Sequence, residues 1–570
     1  MRFSPFVNAR DLVPRFAELF ARGGYSRAAF GKDCLAGLMV GVVAMPLAMA
    51  FSISAGGTPA QGLYTSIIAG FCVSAFGGSR FQIAGPTGAF VVVIFGVVAK
   101  HGMEGLFAAS MLAGLMLIAM GLCGLGKFIK YIPYPVTTGF TAGIGVLIFS
   151  QQVEDFFGMA IEKSSPEFFE EWVQYIKAIP TVDIATLAVG LGAMAVIVLL
   201  RVFAPRIPGA VVGVLALTIV RVVFKLPVET IQTRFGGIPS SMAMPRLPLI
   251  TWEVARDVIP DAFTIALLAA IESLLSAVVA DGMTGDRHNS DGELVAQGIG
   301  NVASAIFGGI PATGAIARTA TNIKSGAASP VSGIVHSVAL VLFVLFLAPA
   351  ASAIPLACLS AVLMIVSWDM SDIPRVIRII RTAPKSDASV LIATFVLTII
   401  VDLTFAVEMG VILAIFLFLR RMIEVGGIKS ANSDLSVKLA REGVDNRSVD
   451  ADSIRALRQH DIEVYEITGP FFFGVADMLQ NTLRHISKSS KAIVLRMKDV
   501  PAIDSTGIAA LESFLSQCRR RKITLILAEI HDQPKSALEK TGFMANVGEE
   551  NIVSTLDEAI VQAGQRGRDG

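Results

Sequence analysis

The 570-residue sequence predicts a polytopic α-helical membrane protein, about fourteen spans in two inverted repeats of seven, followed by a soluble α/β domain. Three observations predict it. Only 16% of the residues are charged and 54% are hydrophobic, whereas a soluble globular chain carries about a quarter charged residues. The deficit is uneven: residues 34–421 hold most of the apolar runs, and the composition beyond them is that of an ordinary soluble protein. Two apolar segments are short and broken by glycine or proline, and each follows a helix ending in Phe-Gly-Gly, at 76–78 and at 307–309. Paired interrupted segments at corresponding places in two halves are the mark of an inverted repeat.

Residues 1–33 mix basic and aromatic side chains without a continuous apolar core or a small-residue cleavage site, so they read as a cytoplasmic arm with an interfacial amphipathic helix. A membrane helix needs roughly 20 apolar residues. Candidate spans lie at 34–54, 60–77, 84–100, 104–123, 133–153, 182–202, 207–225, 258–280, 290–307, 314–327, 330–350, 353–371, 387–403 and 404–421. The third and tenth are the broken ones. Orientation follows from the basic residues of the short loops. Arg15, Arg22, Arg27 and Lys32 precede the first span; Lys127 and Lys130 lie in loop 124–132; Arg375, Arg378, Arg381 and Lys385 lie in loop 372–386. All three clusters fall on one side, which is therefore cytoplasmic. Segment 156–181, with Glu162, Glu167, Glu170 and Glu171, falls on the other. The even span count places the C-terminal part in the cytoplasm too. Cys34, Cys72, Cys123, Cys358 and Cys518 are scattered without metal or disulfide spacing and read as packing residues. No cofactor or metal is expected, and a net charge of +1 gives no argument for nucleic acid.

The broken spans read IAGPTGAFVVVIFGVV (83–98) and ATGAIARTATNIKSGA (312–327). A half-helix that starts inside the membrane leaves its first amide N–H groups unpaired and its positive dipole end facing inward. Such a start binds anions without a formal charge. Two facing starts, at Gly85-Pro86-Thr87-Gly88-Ala89 and Ala315-Ile316-Ala317-Arg318-Thr319, make one anion pocket between them. Pro86 suits a first helical turn, where its missing N–H costs nothing. Gly88 lets a ligand approach the backbone, and Arg318 adds a full positive charge. The plainer reading is a pair of glycine-rich packing kinks.

Span 258–280 contains LLAAIESLLSAVVA, thirteen small or apolar residues around Glu272. A charge at the bilayer centre costs several kcal/mol and is a functional hypothesis by default. Three roles suit it: a structural partner of Arg318, a sodium ligand completed by Ser273 and Ser276, or a carrier for a proton that travels with an anion and cancels its charge. Carboxyls in a low-dielectric setting take up protons more readily than in water.

In the tail, 461–467 and 491–497 read as strands; STGIAALESFLSQCRRR after them reads as an amphipathic helix, and ITLILAEI as a further strand. Asp504 and Ser505 sit where a helix N-cap belongs. Residues 422–460, charged and small, read as a linker to a domain at 461–565.

The runs MPLAMAFSISAGGTPAQGLYTS (45–66), GSRFQIAGPTGAF (78–90) and AIESLLSAVVADGMTGDRHNSDGELVAQGIGN (270–301) resemble the SulP sulfate-permease family of anion transporters, over nearly the whole chain. Within it, the Glu272 region, DGMTG (281–285) and SGAASPVSGIVHS (325–337) are most similar to bacterial C4-dicarboxylic acid transporters. VPAIDSTGIAALESF (500–514) resembles the STAS domain that ends such chains; in its anti-sigma-factor-antagonist relatives the serine at the position of Ser505 is phosphorylated. The resemblance implies a core of spans 1–4 and 8–11, a gate of spans 5–7 and 12–14, and a homodimer in a bacterial inner membrane. It also implies a substrate site of Pro46, Leu47 and Phe51 on span 1, Thr87 on span 3, and Ala317 with Arg318 on span 10. Some relatives carry serine where this chain has Ala317. Sodium-coupled bicarbonate relatives tend to carry aspartate at the position of Glu272, which shifts weight toward protons and dicarboxylates. The expectation is a secondary active, proton-coupled transporter of succinate, fumarate or aspartate, working as an elevator. Sodium-coupled bicarbonate or sulfate transport is the alternative, and an anion sensor signalling through an unknown partner of the STAS domain is a rival of another class. No GxxxxGK[ST] loop follows a strand, and the six histidines form no cluster with acids, so neither an ATP-driven pump nor an enzyme is expected.

Overall fold

The structure, a computed structural model, describes residues 12–21, 25–129, 133–161, 168–204, 207–248, 251–401, 403–431, 462–472, 478–479 and 490–569. Arg22, Lys130, Glu162, Glu167 and the linker residues 432–460 lie outside the described residues. The chain divides into two units, Met1–Ala414 and Ile415–Gly570.

In chain order the helical part begins with α1 (Arg15–Ala21), α2 (Arg27–Ser54), α3 (Pro59–Phe76), the two-residue strand β1 (Ala84–Gly85), α4 (Gly88–Leu122), α5 (Gly126–Ile129) and α6 (Tyr134–Gln151). Then come α7 (Val153–Phe157), α8 (Phe168–Ala178), α9 (Ile184–Phe203), α10 (Gly209–Phe224) and α11 (Ile231–Phe235). The second half runs α12 (Trp252–Thr284), α13 (Ser290–Ile306), strand β2 (Thr313–Gly314), α14 (Ile316–Lys324), α15 (Val331–Ala351) and α16 (Leu356–Ser371). It closes with α17 (Ile373–Thr382), α18 (Lys385–Ile400) and α19 (Leu403–Val425).

Local sequence sets these boundaries. Thr58 caps α3 with Pro59 in the first turn and Gln61 completing a capping box. Asp183 caps α9 by accepting from the N–H groups of Ala185 and Thr186. Gly102, at φ +68, breaks α4 into two arms, which are the third and fourth spans. The span starts differ from the sequence reading at α2 and α12. Both begin six or seven residues early, at Arg27 and Trp252, because Ser26 and Thr251 supply N-caps ahead of the apolar stretch.

Counting the arms of α4 separately, α2, α3, α4, α6, α9 and α10 make seven spans; α12, α13, α14, α15, α16, α18 and α19 make seven more. Among the described residues, seven helices are long and apolar enough to cross a membrane on that ground alone.

The packing has the symmetry of two interlocked copies. Matching the two sevens in order, α2 on α15 is answered by α12 on α4, α3 on α15 by α13 on α4, and α6 on α18 by α16 on α9. The contacts form two groups. One holds α2, α3, α4, α12, α13, α14 and α15, and the other α6, α9, α10, α16 and α18. The first corresponds to the core and the second to the gate. Where α4 crosses α13, a Cβ on Gly114 would lie 2.7 Å from the carbonyl of Gly298, and one on Gly298 would lie 2.5 Å from that of Gly114. Only glycine at both positions permits this backbone contact.

The tail is a five-stranded sheet of β3 (Gly427–Ser430), β4 (Ile462–Thr468), β5 (Ala492–Asp499), β6 (Thr524–Ala528) and β7 (Ile552–Val553), in that order. Only β3–β4 is antiparallel. Helices α20 (Ser505–Arg520), α21 (Asp532–Lys540), α22 (Phe543–Val547) and α23 (Leu556–Asp569) complete it. Alternation along β5 sends Ile493, Leu495 and Met497 to the face with Phe514 and Phe543, and Ala492 and Val494 to the face with Ile560. Strand β3 falls inside the segment that the sequence suggests is linker. With only four residues its pattern is too short to read, and it is held by pairing with β4.

Candidate functional site

The two broken spans meet. Strand β1 pairs antiparallel with β2, Ala84 opposite Gly314 and Gly85 opposite Thr313. The first arm of α4 and helix α14 start directly after these strands. Neither start carries a side-chain cap: Thr87 and Ala315 are the N-caps, and neither makes a capping hydrogen bond. Thr87 has the hydroxyl for it but donates it instead to Glu272 Oε2 at 2.9 Å. Ala315 has none. Two uncapped helix N-termini therefore flank one crossing, each presenting unpaired amides and a positive dipole end.

Arg318 lies beside this crossing, 3% exposed. Its Nη2 donates to the Pro86 carbonyl at 3.0 Å and its Nη1 to Ser66 Oγ at 3.3 Å. Gly85 makes room for it: a Cβ there would sit 2.3 Å from Nη1. The turn at 85–88 is thus held between a guanidinium and a carboxylate. Glu272 and Arg318 make no ion pair; Glu272 holds the turn through Thr87, and Arg318 divides its bonds between the turn at Pro86 and Ser66 on α3. A buried guanidinium in a low-dielectric surround attracts an anion far more strongly than an exposed one.

Glu272, half-buried, differs from the fully buried acids of the helical part. Asp33 accepts from the backbone N–H groups of Ala328 and Ser329 and from Tyr25 Oη, Asp291 from Gly126 N, and Glu293 from Ser79 N. Those three fix turns at helix ends. Glu272 sits in mid-helix and accepts from a hydroxyl at a half-helix start.

Ser273 and Ser276 are on α12 next to Glu272, and both are fully buried. Ser273 Oγ accepts from Gly314 N at 3.0 Å and shares a hydrogen bond with Thr313 Oγ1 at 2.9 Å; Ser276 Oγ donates to Thr319 Oγ1 at 3.2 Å. They hold the second half-helix start in place. Pro46, Leu47 and Phe51 lie on α2, which packs against both α4 and α14; Pro46 and Phe51 are buried and Leu47 is half-buried. Gly88 and Ala89 are buried, and a Cβ at Gly88 would lie 2.7 Å from Met370 Sδ on α16 and 2.9 Å from Ile148 Cδ1 on α6. Ile316 and Ala317 are exposed on the first turn of α14. In the tail, Asp504 alone caps α20, accepting from Gly507 N at 2.8 Å, and Ser505 is exposed.

Sequence reasoning missed Ser66 and Asn301, and it placed Thr319 at the second half-helix start without giving it a contact. Asn301 grips Ala312 in both directions, donating to its carbonyl at 2.9 Å and accepting from its N–H at 2.8 Å. Thr319 Oγ1 accepts from Ile83 N at 3.1 Å. Each is an uncharged polar residue inside a helix of the core, a faint signal among the many serines and threonines of this chain.

Comparison with known proteins follows the same outline. Residues 30–394 match the sulfate permease family, and residues 453–559 match the STAS domain. The putative sulfate transporter YvdB of Bacillus subtilis is 41% identical over 95% of this chain and 99% of its own. The bicarbonate transporter BicA of Synechocystis is 31% identical over 93% of this chain and 94% of its own. Among solved structures, that of SLC26A9 superposes with a TM-score of 0.84 at 17% identity, over 98% of this chain and 93% of that one. The transmembrane domain of a cyanobacterial BicA superposes at 0.59 with 30% identity, over 69% and 98%.

Proposed function

The chain belongs to the sulfate permease family, and from that premise we propose that it is a secondary active transporter whose core group of helices carries a small anion past the gate group. Anion transport is the property of the family; coupling, substrate and mechanism are this proposal. The observation that carries it is the crossing at 85–88 and 315–318: two uncapped helix starts, with Arg318 against one side of the first and Glu272 against the other.

Glu272 is the coupling group. While ionised it ties up the Thr87 hydroxyl and places a negative charge at the mouth of an anion site. Protonated, it releases that hydroxyl to the substrate and removes the repulsion. Proton and anion then load together and cross as a pair of reduced charge. Ser273 and Ser276 are engaged with Thr313, Gly314 and Thr319, which favours this role over a sodium site built from them.

The substrate proposed is a C4-dicarboxylate such as succinate, fumarate or aspartate, whose two carboxylates match two separate N-termini. The sulfate and bicarbonate names of the relatives favour a second reading, a single compact oxyanion at the same crossing. The site residues proposed to touch substrate are Pro46, Leu47, Phe51, Gly85, Thr87, Gly88, Ala89, Ile316, Ala317 and Arg318. Movement is elevator-like: Gly88, against Met370 and Ile148, lies on the surface that slides. We place the protein as a dimer in a bacterial inner membrane with both termini cytoplasmic.

Uptake of labelled succinate or fumarate into proteoliposomes, with and without an inward proton gradient, tests this for the wild type and Glu272→Gln. Gradient-driven accumulation in the wild type and none in the variant is the expected result. If bicarbonate or sulfate is accumulated and dicarboxylate is not, the oxyanion reading replaces it. Binding without accumulation of any anion makes the protein a sensor.

A further inference from the structure

Among the described residues, helix α17 is a basic amphipathic helix between two spans. Its sequence, IPRVIRIIRT, places three arginines at 375, 378 and 381 and four isoleucines, of which those at 373, 377 and 380 share one face. At 100° per residue Ile373, Ile377 and Ile380 fall within an arc of about 60°, and the arginines fall on the flank beyond it. No residue of α17 is buried. Val376 and Ile379 are half-buried, turned to α18 and α6, on which the helix packs. Ile373, Ile377 and Ile380 are exposed by 40%, 42% and 43%.

Its position is fixed by its neighbours. One residue, Asp372 at φ +35, separates it from the end of α16, and two, Ala383 and Pro384, separate it from the start of α18. Both neighbours are spans, so α17 is held at the cytoplasmic surface between them. At the same level Trp368, 66% exposed, closes α16, and Arg201 at the end of α9 pairs with Asp369 at 2.8 Å. Arg375 pairs with Asp372 at 2.9 Å, while Arg378 and Arg381 meet no acid among the described residues.

We propose that α17 is a docking site for anionic phospholipid of the cytoplasmic leaflet: the isoleucine face lies among acyl chains and Arg378 and Arg381 hold the headgroup phosphate. The physical grounds are charge complementarity and depth. An amphipathic helix with a basic flank and an aromatic at its level sits in the headgroup–acyl boundary, and each basic residue there gains about 1 kcal/mol from anionic lipid. Because α17 rests on α6 and α18, the lipid anchors the gate group and leaves the core group free to move.

Native mass spectrometry of the full chain, with phosphatidylglycerol and phosphatidylcholine in competition, tests it without reference to any transport substrate. The expected result is preferential retention of phosphatidylglycerol, weakened roughly thirty-fold in Arg378→Gln/Arg381→Gln and unchanged in Lys225→Gln, a basic residue in the opposite-side loop after α10. Ile377→Ser weakens it as well, since the chains are part of the contact. Equal retention of the two lipids by the wild type, or no loss in the double variant, overturns the proposal. Equal competition by soluble glycerol phosphate also overturns it, because the site would then bind a free anion and not a lipid. Failure here leaves the transport reading intact, and loss of transport in wild type leaves this one intact.

Discussion

At the scale of single residues, the site is an arrangement of small absences. Gly85 has no side chain, so Arg318 can lie against the turn. Ala315 has no hydroxyl, so the second helix start stays open. Thr87 has a hydroxyl but gives it to Glu272. Gly85→Ala would put a methyl 2.3 Å from Nη1, and the guanidinium must leave its bonds to Pro86 and Ser66. The expected outcome is a KM for anion uptake raised at least about tenfold, equivalent to the loss of one charge-assisted hydrogen bond; an unchanged KM would remove Arg318 from the site. Thr87→Val tests the other side. It keeps the shape and removes the donor, so its uptake should rise less steeply with an imposed proton gradient than that of the wild type.

At the scale of elements, the half-helices depend on the helices behind them. The backbone contact of Gly114 with Gly298 brings α13 close to α4, and α13 carries Asn301, which grips the chain just before β2. Gly298→Val forces the two helices apart, an overpacking cost of about 1–3 kcal/mol. A lower melting temperature in detergent is expected, together with loss of substrate binding; a variant as stable as the wild type would mean that the crossing tolerates a side chain. In the tail, Asp504→Ala removes the cap of α20 and is expected to cost about 1 kcal/mol, read as an earlier unfolding transition of the full chain. Ser505→Ala at the exposed first position should leave that transition in place.

At the scale of the whole membrane unit, the division into core and gate predicts that fixing one to the other stops transport. Gln152 Nε2 on the gate side donates to Ser54 Oγ at the end of α2 at 2.9 Å. Cysteines at 54 and 152 joined by a short reducible cross-linker should abolish uptake, and reduction should restore it. Uptake that survives the cross-link would exclude relative movement of the two groups.

The sequence by itself determined what depends on local composition and spacing. Apolar runs gave the spans, and the repeated Phe-Gly-Gly before a broken segment gave the inverted repeat. The physical reason is that the bilayer forces each helix to satisfy its own backbone and to be apolar outside, so span and repeat are written locally. Glu272 and Arg318 were legible for the same reason, as charges where charge is costly. Only the tertiary structure decided what the two charges touch. The sequence left an Arg318–Glu272 ion pair open, and the fold instead gives Glu272 to Thr87 and Arg318 to Pro86 and Ser66. It also decided that Ser273 and Ser276 serve β2 and α14, and that β3 belongs to the sheet. Those contacts join residues tens to hundreds of positions apart, and the geometry of a hydroxyl or a short strand is set by its partner, not by its neighbours in sequence.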